Sequence, residues 1–153
     1  MLHFKQKTGV SCGAAAYRSI ISQFELISEK QAVDEVGTTK KGTCTFNVLN
    51  AFKKRKLDAN IVHLNISFRI YSRWLELNSK NRLLYLDCNF VSGKTKNSNR
   101  FHALAVSNGF IFDPSEEKPC PVDCFFDCFH KDLIIRSMIL IDLSWTSTFF
   151  DVY

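Results

Sequence analysis

The chain has 153 residues, 46% of them apolar and 23% charged, with 14 phenylalanines; these are globular proportions that argue against disorder and predict one folded domain spanning 1–153. The formal charge of +5 is modest, and its cations are scattered except in Lys53-Lys54-Arg55-Lys56 and between Lys94 and Arg100, runs that read as solvated faces rather than a nucleic-acid surface. No stretch approaches the roughly 18 apolar residues of a membrane span, and Met1-Leu2-His3-Phe4-Lys5 has no apolar signal core, so a soluble cytoplasmic protein is expected, with its six cysteines carried as free thiols.

In chain order, Gln6 precedes Cys12 by six residues, and Cys12 opens a helix expected to run to about Phe24. Ala16, Tyr17, Ile20, Ile21 and Phe24 recur there at helical spacing and form one buried stripe. A thiol at a helix start sits at the positive end of the macrodipole, among N–H groups without helical partners, which favours a thiolate. Ser28 and Gln31 form a capping-box pattern ahead of Ala32, Val33 and Val36, so a short second helix is expected to end at Gly37. Thr43 or Thr45 is expected to cap a third, with Phe46, Leu49 and Phe52 on its buried face, which stops in the basic run.

Asn60 to Asn65 alternates weakly as a strand, and a fourth helix is expected from Ser67, using Phe68, Tyr71, Trp74 and Leu75. From Arg82 the character changes. Leu83 to Phe90 reads as a buried strand and Ser92 to Arg100 as a loop. Phe101 to Ser107, then Asn108-Gly109, then Phe110 to Asp113 is a hairpin signal, because Asn-Gly between apolar runs favours a two-residue type I′ turn. Cys120 to His130 suggests a helix and Leu133 to Leu143 a strand. Helices first and strands second make an α+β order.

With Asn108 and Gly109 as the turn, Ser107 pairs with Phe110, Val106 with Ile111, Ala105 with Phe112 and Leu104 with Asp113. His102 lies two residues from Leu104, on the same face, so Asp113 becomes its diagonal neighbour at roughly 7 to 8 Å between backbone positions. A histidine held by a carboxylate is the orienting half of a nucleophilic triad, and Cys12 would complete it. In that arrangement Cys12 attacks a carbonyl and His102 protonates the leaving group. The Gln6 amide and the Cys12 backbone N–H form the oxyanion hole, worth about 2.7 to 4 kcal/mol per donor.

The order Gln6, Cys12-Gly13, a small-residue helix, His102 on a strand and then Asp113-Pro114 resembles papain-like cysteine peptidases. Among these it resembles the bacteriocin-processing, double-glycine-leader peptidase domains of ABC transporters and their stand-alone relatives. The resemblance spans residues 4 to 115 and includes Gly42-Thr43, which is similar to the pair that introduces the family's third helix. It implies an α+β papain-like fold, N-terminal helices packed on a twisted antiparallel sheet, with residues 116–153 as a C-terminal extension. It further implies a thiol peptidase with Cys12, His102 and Asp113 as catalytic residues, Gln6 and Cys12 at the oxyanion hole, no cofactor or metal, and a peptide or protein as substrate. The sequence departs from the family where Ala14 replaces a usual proline and where the segment after His102 is less β-branched. Nothing resembles the transporters' membrane span or ATPase.

Three other readings stand beside this one. The same triad serves transglutaminases and deamidases, and the same fold can hold a peptide without cleaving it. A basic nucleic-acid-binding role would use Lys53 to Lys56 with nearby aromatics. Cys120, Cys124 and Cys128 recur every four residues with His130 close by, a spacing that allows zinc but is better read as buried thiols or chance. The loop Lys94 to Arg100 leads into the strand bearing His102, where it would rim a cleft and favour acidic substrates.

Overall fold

The computed structural model describes residues 1–90, 100–128 and 133–143, including their side chains except at 100 and 126–128. The expected loop before Arg100, His130 and the end of the chain lie outside the described residues. The architecture is α+β: a six-stranded antiparallel sheet in the order β1-β6-β2-β3-β4-β5 with helices on both faces.

Helix α1 (Cys12–Ile21) buries nearly every residue, and Gly13, Ala14, Ala15 and Ala16 allow it to lie close on the sheet. It ends before Phe24, which is exposed in the following turn. Helix α2 (Glu29–Val36) starts with the Ser28 hydroxyl accepting from Gln31 N at 3.0 Å and stops at Gly37, whose φ of +65° is the left-handed helix terminus glycine tolerates.

Helix α3 (Thr45–Lys54) corrects two expectations. Its N-cap is Cys44, with no side-chain capping bond. Both threonines are engaged elsewhere: Thr43 Oγ1 shares a hydrogen bond with Thr38 Oγ1 at 2.7 Å, and Thr45 Oγ1 donates to Asp87 at 3.0 Å. Phe46 is exposed rather than buried, and the buried stripe is Val48, Leu49, Ala51 and Phe52. In the basic run, Lys53, Lys54 and Lys56 are exposed, as a solvated face requires, and Arg55 alone turns inward. Arg55 donates through Nε and Nη2 to the Glu35 carboxylate, both at 2.7 Å, and also pairs with Glu25.

Strand β1 (Ala59–Ser67) leads into α4 (Phe68–Asn78), then β2 (Arg82–Phe90), β3 (Arg100–Ser107) and β4 (Phe110–Phe112). At the β3–β4 turn Asn108 and Gly109 both have positive φ, +50° and +80°, the type I′ geometry. The ladder pairs Ser107 with Phe110, Val106 with Ile111 and Ala105 with Phe112, the register the turn predicts.

Strand β5 (Cys120–Pro121) precedes α5 (Val122–Cys128). Cys120 therefore lies outside the helix, and the four-residue recurrence of cysteines does not make one helix face. Strand β6 (Leu133–Asp142) inserts between β1 and β2, so the segment beyond Ser115 supplies an inner strand of the sheet. The sheet's alternation divides the core in two. Leu83, Tyr85, Ala103, Ala105, Ile139 and Ile141 pack under α1, α2 and α3, whereas Leu84, Leu86, Leu104, Val106, Ile135 and Met138 pack with residues of α4 and α5.

Candidate active site

Cys12 is the first residue of α1 and is 3% exposed. The preceding Ser11 has a side chain that makes no capping bond. Its hydroxyl accepts from Thr8 N at 3.1 Å and donates to Thr8 O at 3.2 Å. The first-turn N–H groups of α1 are thus left without a cap, a positive site directly behind the thiol. Gly13 is required next to it. A Cβ there would lie 2.7 Å from Thr43 Cβ, 2.9 Å from Thr43 Oγ1 and 3.0 Å from Tyr85 Oη, closer than atoms pack without displacement.

The hairpin delivers the second component. His102 Nε2 meets Asp113 Oδ1 at 2.6 Å, with both side chains almost fully buried. The same Oδ1 accepts from Ser115 N at 2.9 Å and Ser115 Oγ at 2.7 Å, so the carboxylate is held by its own turn. Cys12 lies within hydrogen-bonding reach of the His102 imidazole, whose Nε2 is taken up by Asp113. The Phe90 ring lies against the imidazole, tilted, at 5.1 Å between centroids.

Strict alternation would leave His102 with Leu104 on the α4/α5 side of the sheet, whereas Cys12 belongs to the helix on the other side. The contact is made at the end of the sheet. The β3–β4 ladder stops at the Ala105–Phe112 pair, so among the described residues the first half of β3 has no ladder partner on that flank, and Asp113 already belongs to the turn that leaves β4. His102 and Asp113 thus meet Cys12 where the β3–β4 ladder has ended.

Burial works against a charged His102, but its hydrogen bonds to Asp113 and Cys12 and their negative charges outweigh it and raise its pKa from 6.5 to about 9. The imidazole is therefore protonated at neutral pH. Cys88, opposite His102 on β2, is fully buried, and burial pushes its thiol well above its ordinary range, so it stays neutral.

Gln6 lies on the cleft's rim. Its backbone N–H donates to Pro114 O at 2.8 Å, tying the N-terminal segment to the turn that carries Asp113. Its side-chain Nε2 donates to Thr8 O at 2.8 Å. A primary amide has two N–H bonds, and this contact uses one of them. His3 bonds Glu116 O at 2.7 Å and Lys5 pairs with Glu117, extending the same seam.

These residues line an open cleft of about 660 Å³ bounded by Gln6, Gly9, Val10, Cys12, Phe90 and His102, with Lys41, Gly42, Phe101 and Ser115 completing it. The sequence reading did not assign Ser115, Phe90 or Lys41 a role with His102 and Asp113. Ser115 carries a signal, since serine two residues after aspartate is a common Asx-turn spacing; Phe90 and Lys41 carry none. Among the described residues no group of three or more histidine, cysteine or acidic side chains is arranged to hold a metal, and no helix is long and apolar enough to cross a membrane.

No protein-family model and no curated protein matches the sequence. Solved structures do match in fold. The peptidase domain of Streptococcus ComA, a bi-functional ABC transporter involved in a quorum-sensing pathway, aligns with a TM-score of 0.63 at 15% identity, over 92% of this chain and 96% of that one. A double-glycine-motif protease from an AMS/PCAT transporter, solved in complex with the leader peptide, aligns with a TM-score of 0.58 at 18% identity, over 92% of this chain and 91% of that one. The peptidase domain of Streptococcus mutans ComA gives 0.56 at 15% identity, over 91% and 97%. The fold is that of papain-like cysteine peptidase domains, and the matched portion extends beyond residues 4–115.

Proposed function

We propose that this protein is a cysteine peptidase that hydrolyses a peptide or isopeptide bond through a thioester on Cys12. The observation that carries this reading is the chain of contacts from Asp113 Oδ1 through His102, at 2.6 Å, to Cys12 at the start of a helix in an open cleft. The peptide-binding fold and the leader peptide seen with one structural neighbour support it.

In the proposed reaction the Cys12 thiolate, paired with the His102 imidazolium, attacks the substrate carbonyl carbon. The carbonyl oxygen takes up the negative charge and is met by the Cys12 backbone N–H and the free N–H of the Gln6 amide. The C–N bond breaks as His102 gives its proton to the departing amine, leaving the acyl group on sulfur. Water then attacks the thioester, His102 takes its proton, the C–S bond breaks, and the acid product departs with the thiolate–imidazolium pair regenerated. Asp113 holds the imidazole orientation and favours its charged form throughout.

The test is mass-spectrometric profiling of a peptide library incubated with the purified protein. New termini are expected with the wild type and none with Cys12→Ala. Equal cleavage by Cys12→Ala, or none by either, overturns the reading.

A further inference from the structure

Beside the cleft lies a second recess of about 490 Å³ that shares Lys41 and Phe101 with it. Its walls come from the start of α3, from β1, and from β2 and β6, and it is distinct from the Cys12–His102 contact. Lys41 stands on the saddle between the two spaces. It is presented by a tight turn closed at both ends, Thr39 N to Gly42 O at 2.9 Å and Gly42 N to Thr39 O at 3.0 Å, in which Gly42 adopts a φ of +102°.

The recess has an unequal charge balance. Lys41, His63 and Arg136 are exposed on its walls, and none forms an ion pair within 4.0 Å among the described residues. Arg136 Nη1 donates to the Asn89 side-chain oxygen at 3.1 Å, in the amide orientation that satisfies both groups, which fixes the guanidinium without neutralising it. The first turn of α3 also opens here with no capping side chain, adding the positive end of a helix. The opposing charge is Asp87. Its Oδ2 already accepts from Thr45 Oγ1 at 3.0 Å and Ser137 Oγ at 3.1 Å, and burial raises its pKa against these bonds and the nearby Arg136 and His63. The two unpaired cations, Lys41 and Arg136, thus outnumber the one carboxylate, one of whose oxygens already accepts from two hydroxyls.

We propose that this recess binds an acidic side chain of the peptide lying in the Cys12 cleft, with Arg136 and Lys41 recognising its carboxylate. Arginine on a wall and lysine on the saddle suit a carboxylate entering from the cleft side, and a volume of this size holds a glutamate side chain with its backbone. The proposal rests on the reading of the cleft as a peptide site. It gives that site a preference for peptides with aspartate or glutamate removed from the scissile bond.

A binding experiment on the Cys12→Ala protein tests this without requiring hydrolysis. A display library of random dodecapeptides is selected against it, and the chosen peptides are expected to be enriched in aspartate and glutamate. For one such synthetic peptide, Arg136→Glu on the same background weakens binding roughly tenfold, the scale of a lost charge-assisted contact. Lys53→Glu, an equal charge change at the end of α3, leaves binding unchanged and so separates the recess from the overall field. Selection without acidic enrichment, no selected peptide, or equal weakening by Arg136→Glu and Lys53→Glu overturns the proposal. A protein that selects acidic peptides but cleaves nothing supports this recess and refutes the hydrolytic reading.

Discussion

Replacing Gly13 by alanine sets two effects of opposite sign against each other. Gly→Ala in a helix stabilises by up to about 1 kcal/mol through backbone entropy, less at the second helical residue. Against that, the new Cβ meets Thr43 Cβ at 2.7 Å and Tyr85 Oη at 3.0 Å. Tyr85 is completely buried and Thr43 is held by Thr38, so neither yields cheaply. Overpacking of this kind costs about 1 to 3 kcal/mol, and the clash therefore wins, with a net loss of roughly 1 to 2 kcal/mol. Urea unfolding followed by circular dichroism measures it. Gly9→Ala is the control, because a Cβ at Gly9 meets nothing within 4 Å; it should be neutral or slightly stabilising. A Gly13→Ala protein more stable than the wild type would refute the packing argument and leave glycine after Cys12 without a structural reason.

Stability should also depend on pH through His102. Its folded pKa of about 9 lies above the unfolded value of 6.5, so the stabilisation is complete below about pH 6.5 and is lost as pH rises through about 9. The shift corresponds to ~3 kcal/mol. Denaturation curves between pH 6 and 9.5 should show this loss in the wild type and a clearly smaller one in Asp113→Asn; burial, the main cause of the Cys88 shift, is common to both proteins. Gln6→Ala should lower kcat about 10²- to 10³-fold with unchanged stability, and a variant with wild-type kcat would remove Gln6 from the oxyanion hole. Arg55→Leu leaves Glu35 without its cation and should cost about 1 to 3 kcal/mol in urea unfolding; a neutral result would show the cluster to be solvated.

What was legible in the sequence was local and chemical. Asn108-Gly109 sets a turn whose register follows from two residues needing positive φ, and Ser28 with Gly37 bounds α2 by the same kind of rule. These signals act within a few residues, so a linear reading finds them. Cys12 at the start of α1 was legible for the same reason.

The rest depended on long-range partners. Thr43 and Thr45 look like caps, but Thr38 and Asp87 compete for their hydroxyls and win. Phe46 fits the helical stripe, yet it borders the recess beside His63, at 6.0 Å between ring centroids, instead of the core. The position of β6 between β1 and β2 is a topological fact that no local pattern encodes. The meeting of His102 with Cys12 lies between these cases. The turn brings His102 to Asp113, but the approach to α1 depends on where the β3–β4 ladder stops.

The most direct test of the central claim is site-resolved alkylation. The protein is treated with chloroacetamide at pH 6 and the rates at Cys12, Cys44 and Cys124 are read by peptide mass spectrometry. Cys44 and Cys124 are exposed and Cys12 is 3% exposed, so access alone ranks Cys12 last. The pairing with His102 predicts the reverse: Cys12 reacts first at pH 6, and His102→Ala slows it below the exposed thiols. Modification of Cys12 more slowly than Cys44 and Cys124, or at a rate indifferent to His102→Ala, would contradict the account.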